Sequence, residues 1–258
     1  SAMHPMSTCD VFPHISYLTS MGRPVVLVTE TRGADVIRSV ISEGVLVTGS
    51  RDHVRFYDAA LRAGRLDVVE GDRRISAEAI GPFPGVLIVG SGPIATSISR
   101  MAREMGMPAV RLSDESPGPG LTGASGTQGD AMVASIDDLD RVLSEGEFVV
   151  VANEGGSPHD VPAVEVALRK GAAYVGLMAS ERRARESVEE LIRRGIPEDI
   201  IRRRLYTPAG LDLGAKGAGE IALSILAEML AVWRGGTGAH IREMRGPFAG
   251  APRGKARR

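Results

Sequence analysis

Four apolar residues, Val86-Leu87-Ile88-Val89, run straight into Gly90-Ser91-Gly92-Pro93-Ile94-Ala95, and helical spacing then continues through Met105. Strand, tight turn and helix in that order admit few folds, because this is the context a dinucleotide-binding turn requires. Gly90 is expected to make the sharp turn, Gly92 to let a diphosphate approach the backbone with no Cβ in the way, and Ala95 to let helix and strand pack closely. Free N–H groups at the helix start then face the anion. Pro93 suits the first helical position, where a missing N–H costs nothing. A plain left-handed turn is the other reading of the same glycines, and the pattern speaks for an anion rather than for one particular nucleotide.

The chain after Val86 alternates regularly. Apolar strands are expected at 109–112, 148–152 and 174–178, with helices at 136–143, 162–170, 181–194 and from Glu220 onward. Such alternation builds a parallel sheet covered on both faces. The expected fold class is therefore α/β: a Rossmann-like, doubly wound parallel sheet over residues 84–234, preceded by a smaller N-terminal α/β domain over 4–80. In that first part a helix is expected at 14–22, strands at 24–29, 44–49 and 66–69, and a helix at 54–64, with 72–84 as a linker. Residues 116–130, dense in Gly, Pro, Ser and Thr, read as an exposed loop, and 235–258 as a disordered basic tail.

A chain of 258 residues buries a full core without disulfides or metal. Its net charge of −1 gives no reason to expect a nucleic-acid partner, and the single Cys9 has no internal partner, so reducing cytoplasm is the expected compartment. No apolar run reaches the roughly 18 to 20 residues of a membrane span, and no signal-peptide pattern opens the chain.

In a doubly wound sheet the carboxyl ends of the strands converge on one crevice. The residues offered there are Gly90, Ser91, Gly92, Pro93, Ile94 and Ala95, then Ser113 and Asp114, Asn153 and Glu154, Ser180, and Lys216 in the turn before the last long helix. Asp114 lies close to where a ribose-binding acid is expected, about 20 residues after the turn, and its charge disfavours a 2′-phosphate. Lys216 is a candidate anion contact. No catalytic set is evident: there is no Ser-His-Asp order and no Gly-x-Ser-x-Gly elbow, and the histidines show no metal-ligand spacing.

From Val86 to about Trp233 the chain resembles the XdhC/CoxF family of molybdenum hydroxylase maturation factors. The resemblance is carried by Val86 to Ala95, by Ala173-Tyr-Val-Gly-Leu-Met-Ala-Ser180, and most specifically by Thr207-Pro-Ala-Gly-Leu-Asp-Leu-Gly-Ala215 leading into Glu220-Ile-Ala-Leu-Ser-Ile-Leu-Ala-Glu228. It implies that the ligand at the glycine turn is the molybdenum cofactor, as molybdopterin or its dinucleotide, and that the partners are a molybdenum hydroxylase apo-enzyme and a sulfur donor protein. Catalysis in the strict sense is not required for that role. The apolar helix from Glu220 serves either a core or a homodimer face.

The chain departs from the family's pattern in four places. Thr31-Arg32-Gly33-Ala34-Asp35 stands where the family carries Gly-Ser-x-Pro-Arg, Gly49-Ser50-Arg51-Asp52-His53 where it carries Gly-Gly-Cys, Ala152-Asn153-Glu154 where it carries Thr-His-Asp, and Ala179-Ser180 where it carries Gly-Ser. The first domain thus looks shortened and degenerate. An NAD-dependent oxidoreductase is the alternative reading, since strand, turn and Asp114 suit that cofactor equally, although Tyr174, Tyr206, Lys170 and Lys216 form no recognisable proton-donor pair.

Overall fold

The computed structural model describes residues 11–81, 83–113, 132–133, 138–245 and 247. Expectations for Cys9, Asp114, the 116–130 loop and most of the basic tail lie outside them. The chain divides into two compact units, Ser1–Ile88 with Ser99–Ala134, and Val89–Ile98 with Ser135–Arg258.

The first elements are α1 (Phe12–Ser20), β1 (Val25–Arg32), β2 (Asp35–Ser42), β3 (Val45–Thr48), a 3-10 turn at Arg51–Phe56, α2 (Tyr57–Ala63), β4 (Arg65–Glu70) and β5 (Arg73–Gly81). Their strands form one antiparallel sheet in the order β3-β2-β1-β5-β4. The β2–β3 hairpin turns on Glu43 and Gly44, both at positive φ, the backbone a two-residue hairpin needs. Alternate residues of β1 supply two cores. Val26 and Val28 pack with Ile41, Phe56, Tyr57 and Ala60, while Val25 packs with Val11, Ile15, Leu18 and Val40 beside α1.

Two expectations fail in this unit. Residues 73–81 are no linker but the strand paired between β1 and β4, and β2 occupies a stretch given no element. The reason is weak amphipathicity: in β5 the inward positions include small Ala77, and only four of the eight residues of β2 are buried, all at one end. Pairing to β1 holds both strands in place of strong side-chain signals.

The second sheet is built from β6 (Val86–Val89), followed by α3 (Pro93–Glu104), β7 (Ala109–Leu112), β8 (Met132–Val133), α4 (Asp138–Val142), β9 (Phe148–Val151), α5 (Asp160–Arg169), β10 (Tyr174–Leu177), α6 (Glu181–Arg193), α7 (Glu198–Arg204), β11 (Leu205–Tyr206) and α8 (Ala218–Arg234). The strand order is β11-β10-β9-β6-β7-β8, with parallel pairing at β9–β10, β10–β11 and β7–β8. Every residue of β6, β9 and β10 is buried, as a parallel sheet covered on both faces demands. This is the Rossmann-like, doubly wound sheet that the alternation implied. The strand order reverses between β6 and β9, so the loops leaving those two strands form the switch point where such sheets take ligands.

Candidate functional site

The switch point is tied together by backbone. The Ala152 N–H donates to the Val89 carbonyl at 2.8 Å, and Gly90, at φ +144°, lies so close to the second loop that a Cβ there would sit 2.6 Å from the Ala152 carbonyl oxygen. Pro93 opens α3 as expected, and the Thr96 N–H and hydroxyl both donate to the Gly92 carbonyl at 3.0 Å, closing the first turn. Ile94 and Ala95 put their side chains into the core. Their part in any site is therefore played by backbone.

The place beside Gly92 holds a carboxylate. Glu154 Oε1 accepts from the Ile94 N–H at 3.1 Å, and a Cβ on Gly92 would lie 2.9 Å from the same oxygen. The space that Gly92 leaves by lacking a Cβ is taken by the Glu154 side chain: the N-terminus of α3, where free N–H groups and the helix dipole favour negative charge, is met by an anion of the protein's own. Glu154 itself is exposed.

Why Glu154 stands there follows from the loop that carries it. Asp160, 3% exposed, accepts from Asn153 Nδ2 at 2.8 Å, from the Ser157 N–H at 3.0 Å and from Arg183 Nη2 at 2.7 Å. Gly156, at φ +89°, passes directly against the Arg183 guanidinium, leaving no room for a side chain. Ser180 caps α6 by accepting from the Arg183 N–H at 3.4 Å. Asn153 and Ser180, expected as ligand contacts, thus hold the 153–160 loop and the helix that presents Arg183. Sequence reasoning missed Asp160 and Arg183 because they lie 23 residues apart with no local pattern joining them.

The remaining candidates are Lys216, Ser113 and Ser91. Lys216 is exposed and contributes its backbone N–H to Glu220 Oε2 at 2.8 Å, with the Gly217 N–H on the same oxygen at 3.3 Å. Ser113 follows β7 and is buried. Ser91 is half-buried in the turn.

The Thr207–Ala215 passage is stitched down along its length. The Thr207 hydroxyl and the Ala209 N–H both donate to the Leu177 carbonyl at 3.1 Å, the Gly210 N–H donates to Glu228 Oε1 at 2.9 Å, and the Leu211 N–H to the Ser224 carbonyl at 3.1 Å. Glu228 also accepts from the Tyr174 hydroxyl at 2.7 Å. Burial, and next the Glu228 charge, push that hydroxyl well above the usual tyrosine value. Tyr174 reaches across its own strand because Gly176 has no Cβ to block the ring, and it stacks on Tyr206 with centroids 4.8 Å apart.

A further polar group was unread in the sequence. Ser39 Oγ lies 2.7 Å from His53 Nδ1, and His53 Nε2 lies 2.7 Å from Glu30 Oε2. Arg73 forks onto both Glu30 oxygens at 2.9 and 2.7 Å. The Arg73 hydrogen bonds, then those of His53, hold the Glu30 carboxyl at about 2 against the opposing effect of burial. Order along the chain resembles a nucleophile relay, but Ser39 and His53 are completely buried, Gly49 seals Ser39, and the Ser39 oxygen already accepts the Ser50 N–H at 2.8 Å. No substrate reaches it, and the relay locks the 48–53 turn onto the sheet.

Among the described residues no group of three His, Cys, Asp or Glu side chains is placed to hold a metal ion, and no helix is long and apolar enough to cross a membrane.

Comparison with known proteins agrees with the second sheet and its loops. A family model for the XdhC Rossmann domain matches residues 86–229, more than half of the chain. The chain belongs to the XdhC family. Its relatives include the uncharacterised protein YqeB of Escherichia coli K12, 29% identical over 209 residues, covering 78% of this chain and 37% of YqeB. Another is a probable xanthine dehydrogenase subunit of Bacillus subtilis 168, 27% identical over 156 residues, covering 58% of this chain and 43% of that protein. The chain therefore spans under half the length of either relative. A crystal structure of a xanthine dehydrogenase from Bacillus halodurans shares the fold, with a TM-score of 0.51 at 20% identity over 90% of this chain and 64% of that one. The XdhC match begins at Val86, so the antiparallel sheet lies outside it.

Proposed function

We propose that this XdhC-family chain is an accessory factor that takes a pterin-type molybdenum cofactor, or its dinucleotide form, by its phosphate at the Gly90–Ala95 turn and hands it to the apo form of a xanthine dehydrogenase-type molybdenum hydroxylase. The observation that carries the reading is the carboxylate of Glu154 on the Ile94 N–H beside Gly92, which marks an anion-receptive backbone at the switch point of the sheet. The residues fit a phosphate once Glu154 swings aside. That side chain is exposed and precedes Gly155 and Gly156, so its rotation leaves the Asp160-centred support of the loop intact.

When bound, the cofactor supplies the molybdenum chemistry. The chain supplies backbone donors from the first turn of α3, a close approach at Gly92, and an acid that repels the anion unless it moves. Binding and release then depend on the position of one side chain, which suits a carrier.

Native mass spectrometry of the protein co-produced with the cofactor pathway tests the reading. A bound pterin species is expected on the natural chain and its loss in Gly92→Asp, with no NADH binding in a parallel fluorescence titration. Absence of any pterin species at saturating cofactor would overturn it, and NADH binding in its place would favour the oxidoreductase.

A further inference from the structure

Four residues of α8 are exposed: Glu220, Leu223, Leu230 and Arg234. With the half-buried Ala227 they follow at steps of three, four, three and four, which sets all five along one side of the helix, opposite the buried Ala222, Ile225 and Met229. A seam of that spacing with an apolar middle is what helices use to pack on other helices. Leu223 is 54% exposed and Leu230 36%. The solvent side of α6 is built differently: its exposed positions are charged apart from Ile192, and pair as Arg182 with Glu186 at 2.6 Å and Arg185 with Glu181 at 3.7 Å. On α8 charge is confined to the two ends of the seam, and the ends differ in sign. Glu220 accepts from the Lys216 and Gly217 N–H groups at 2.8 and 3.3 Å, and the Arg234 guanidinium lies over the Trp233 ring, 3.6 Å from its centroid.

We infer that this face binds a second copy of this chain, α8 against α8 in antiparallel order about a two-fold axis beside Ala227. The seam is its own complement only in that order. Leu223 stands four residues before Ala227 and Leu230 three after, so at about 1.5 Å of rise per residue each comes level, within about 1.5 Å, with the other's counterpart in the second copy. Glu220 and Arg234 each stand seven residues from Ala227, so the two-fold axis sets carboxylate against guanidinium at both ends. The small Ala227 side chain at the centre lets the two helices approach closely. Parallel order would set Glu220 on Glu220 and Arg234 on Arg234. Opposite charges equally spaced from an apolar centre are what favour a copy of this chain over an unrelated partner. One helix pair makes a small interface, so the dimer is concentration-dependent, with a dissociation constant of roughly micromolar order. None of these residues belongs to the Gly90 turn, and the inference does not depend on the phosphate reading there.

Sedimentation velocity of the full chain, from low micromolar to several hundred micromolar, is expected to show the mass moving from one copy toward two. Leu223→Glu should abolish that shift, because it sets an unpaired charge in the seam, while circular dichroism shows the fold unchanged at a position exposed in the single chain. The end charges give the decisive readout. Glu220→Arg and Arg234→Glu each turn both end contacts into like-charge ones and should weaken association about tenfold at low salt. The two variants mixed in equal amounts should recover most of the natural affinity, since each then meets the opposite charge. A loss caused only by the missing Glu220 hydrogen bonds at the start of α8 would not be rescued by mixing. Single swaps that leave association unchanged, a mixture no tighter than either variant alone, or a dimer that survives Leu223→Glu would each overturn the inference. A single copy at every concentration would overturn it too, and would leave the two leucines to a different protein.

Discussion

Replacing Glu154 with Gln should strengthen anion binding at the start of α3 while slightly weakening the fold. The amide oxygen of Gln still accepts from the Ile94 N–H, so geometry is kept and only the charge goes. Two unit charges about 4 Å apart repel by about 1 kcal/mol at the dielectric of water and about 4 kcal/mol at an effective value of 20. Because Glu154 is exposed, the lower figure applies, and a diphosphate with about two charges in range gains about 2 kcal/mol, or roughly thirtyfold in affinity. Against this, a carboxylate at a helix N-terminus is worth about 0.3 to 1 kcal/mol of stability, which the variant forfeits. Calorimetric titration with inorganic pyrophosphate at low salt, repeated at about 1 M salt where the Debye length shrinks to about 3 Å, measures the first effect and its screening. Urea denaturation measures the second. Unchanged or weaker pyrophosphate binding in Glu154→Gln would refute the argument that this carboxylate stands in for a ligand's anion.

Other outcomes follow from the supporting network. Glu30, held at about 2 in the folded protein against an ordinary 4.5, contributes stability that is complete above pH 4.5 and is lost as pH falls toward 2, on the order of 3 kcal/mol in all; urea midpoints across that window should fall steeply, and Arg73→Gln should flatten the fall. Arg183→Gln leaves the buried Asp160 carboxylate with only neutral donors and should cost about 3 to 5 kcal/mol by denaturant unfolding, with faster hydrogen exchange confined to the 153–160 loop. Gly210→Ala forces a Cβ to 2.5 Å from the Ser224 hydroxyl at φ +109°, so a loss of about 2 kcal/mol or more is expected, and thermal melting no lower than the natural protein's would contradict that geometry.

The parts of this molecule that could be read along the chain are those set by neighbours in sequence. Gly90 takes a positive φ, Pro93 begins a helix, and β6, β9 and β10 are solid apolar runs, so the Rossmann-like sheet and its turn were visible. The Thr207–Ala215 passage stood out as a motif, but nothing local said that its Gly210 N–H ends on Glu228. Strand β5 went unread because, apart from Ile75, its buried residues Ala77 and Gly81 are small, and a strand secured mainly by backbone pairing leaves little trace in hydropathy.

Sequence alone determined the strands β6, β7, β9 and β10 of the second sheet and the helices that follow them, though not the two-residue strands β8 and β11, because backbone dihedral preferences and hydrophobic period are properties of a few adjacent residues. Tertiary structure alone decided which side chains meet. Glu154 reaches the Ile94 N–H from 60 residues away, Tyr174 and Glu228 join across 54, and Ser39, His53 and Glu30 converge from two strands and a turn. Those partnerships are fixed by strand order, and with them the character of the turn: a helix N-terminus met by a carboxylate of the protein's own.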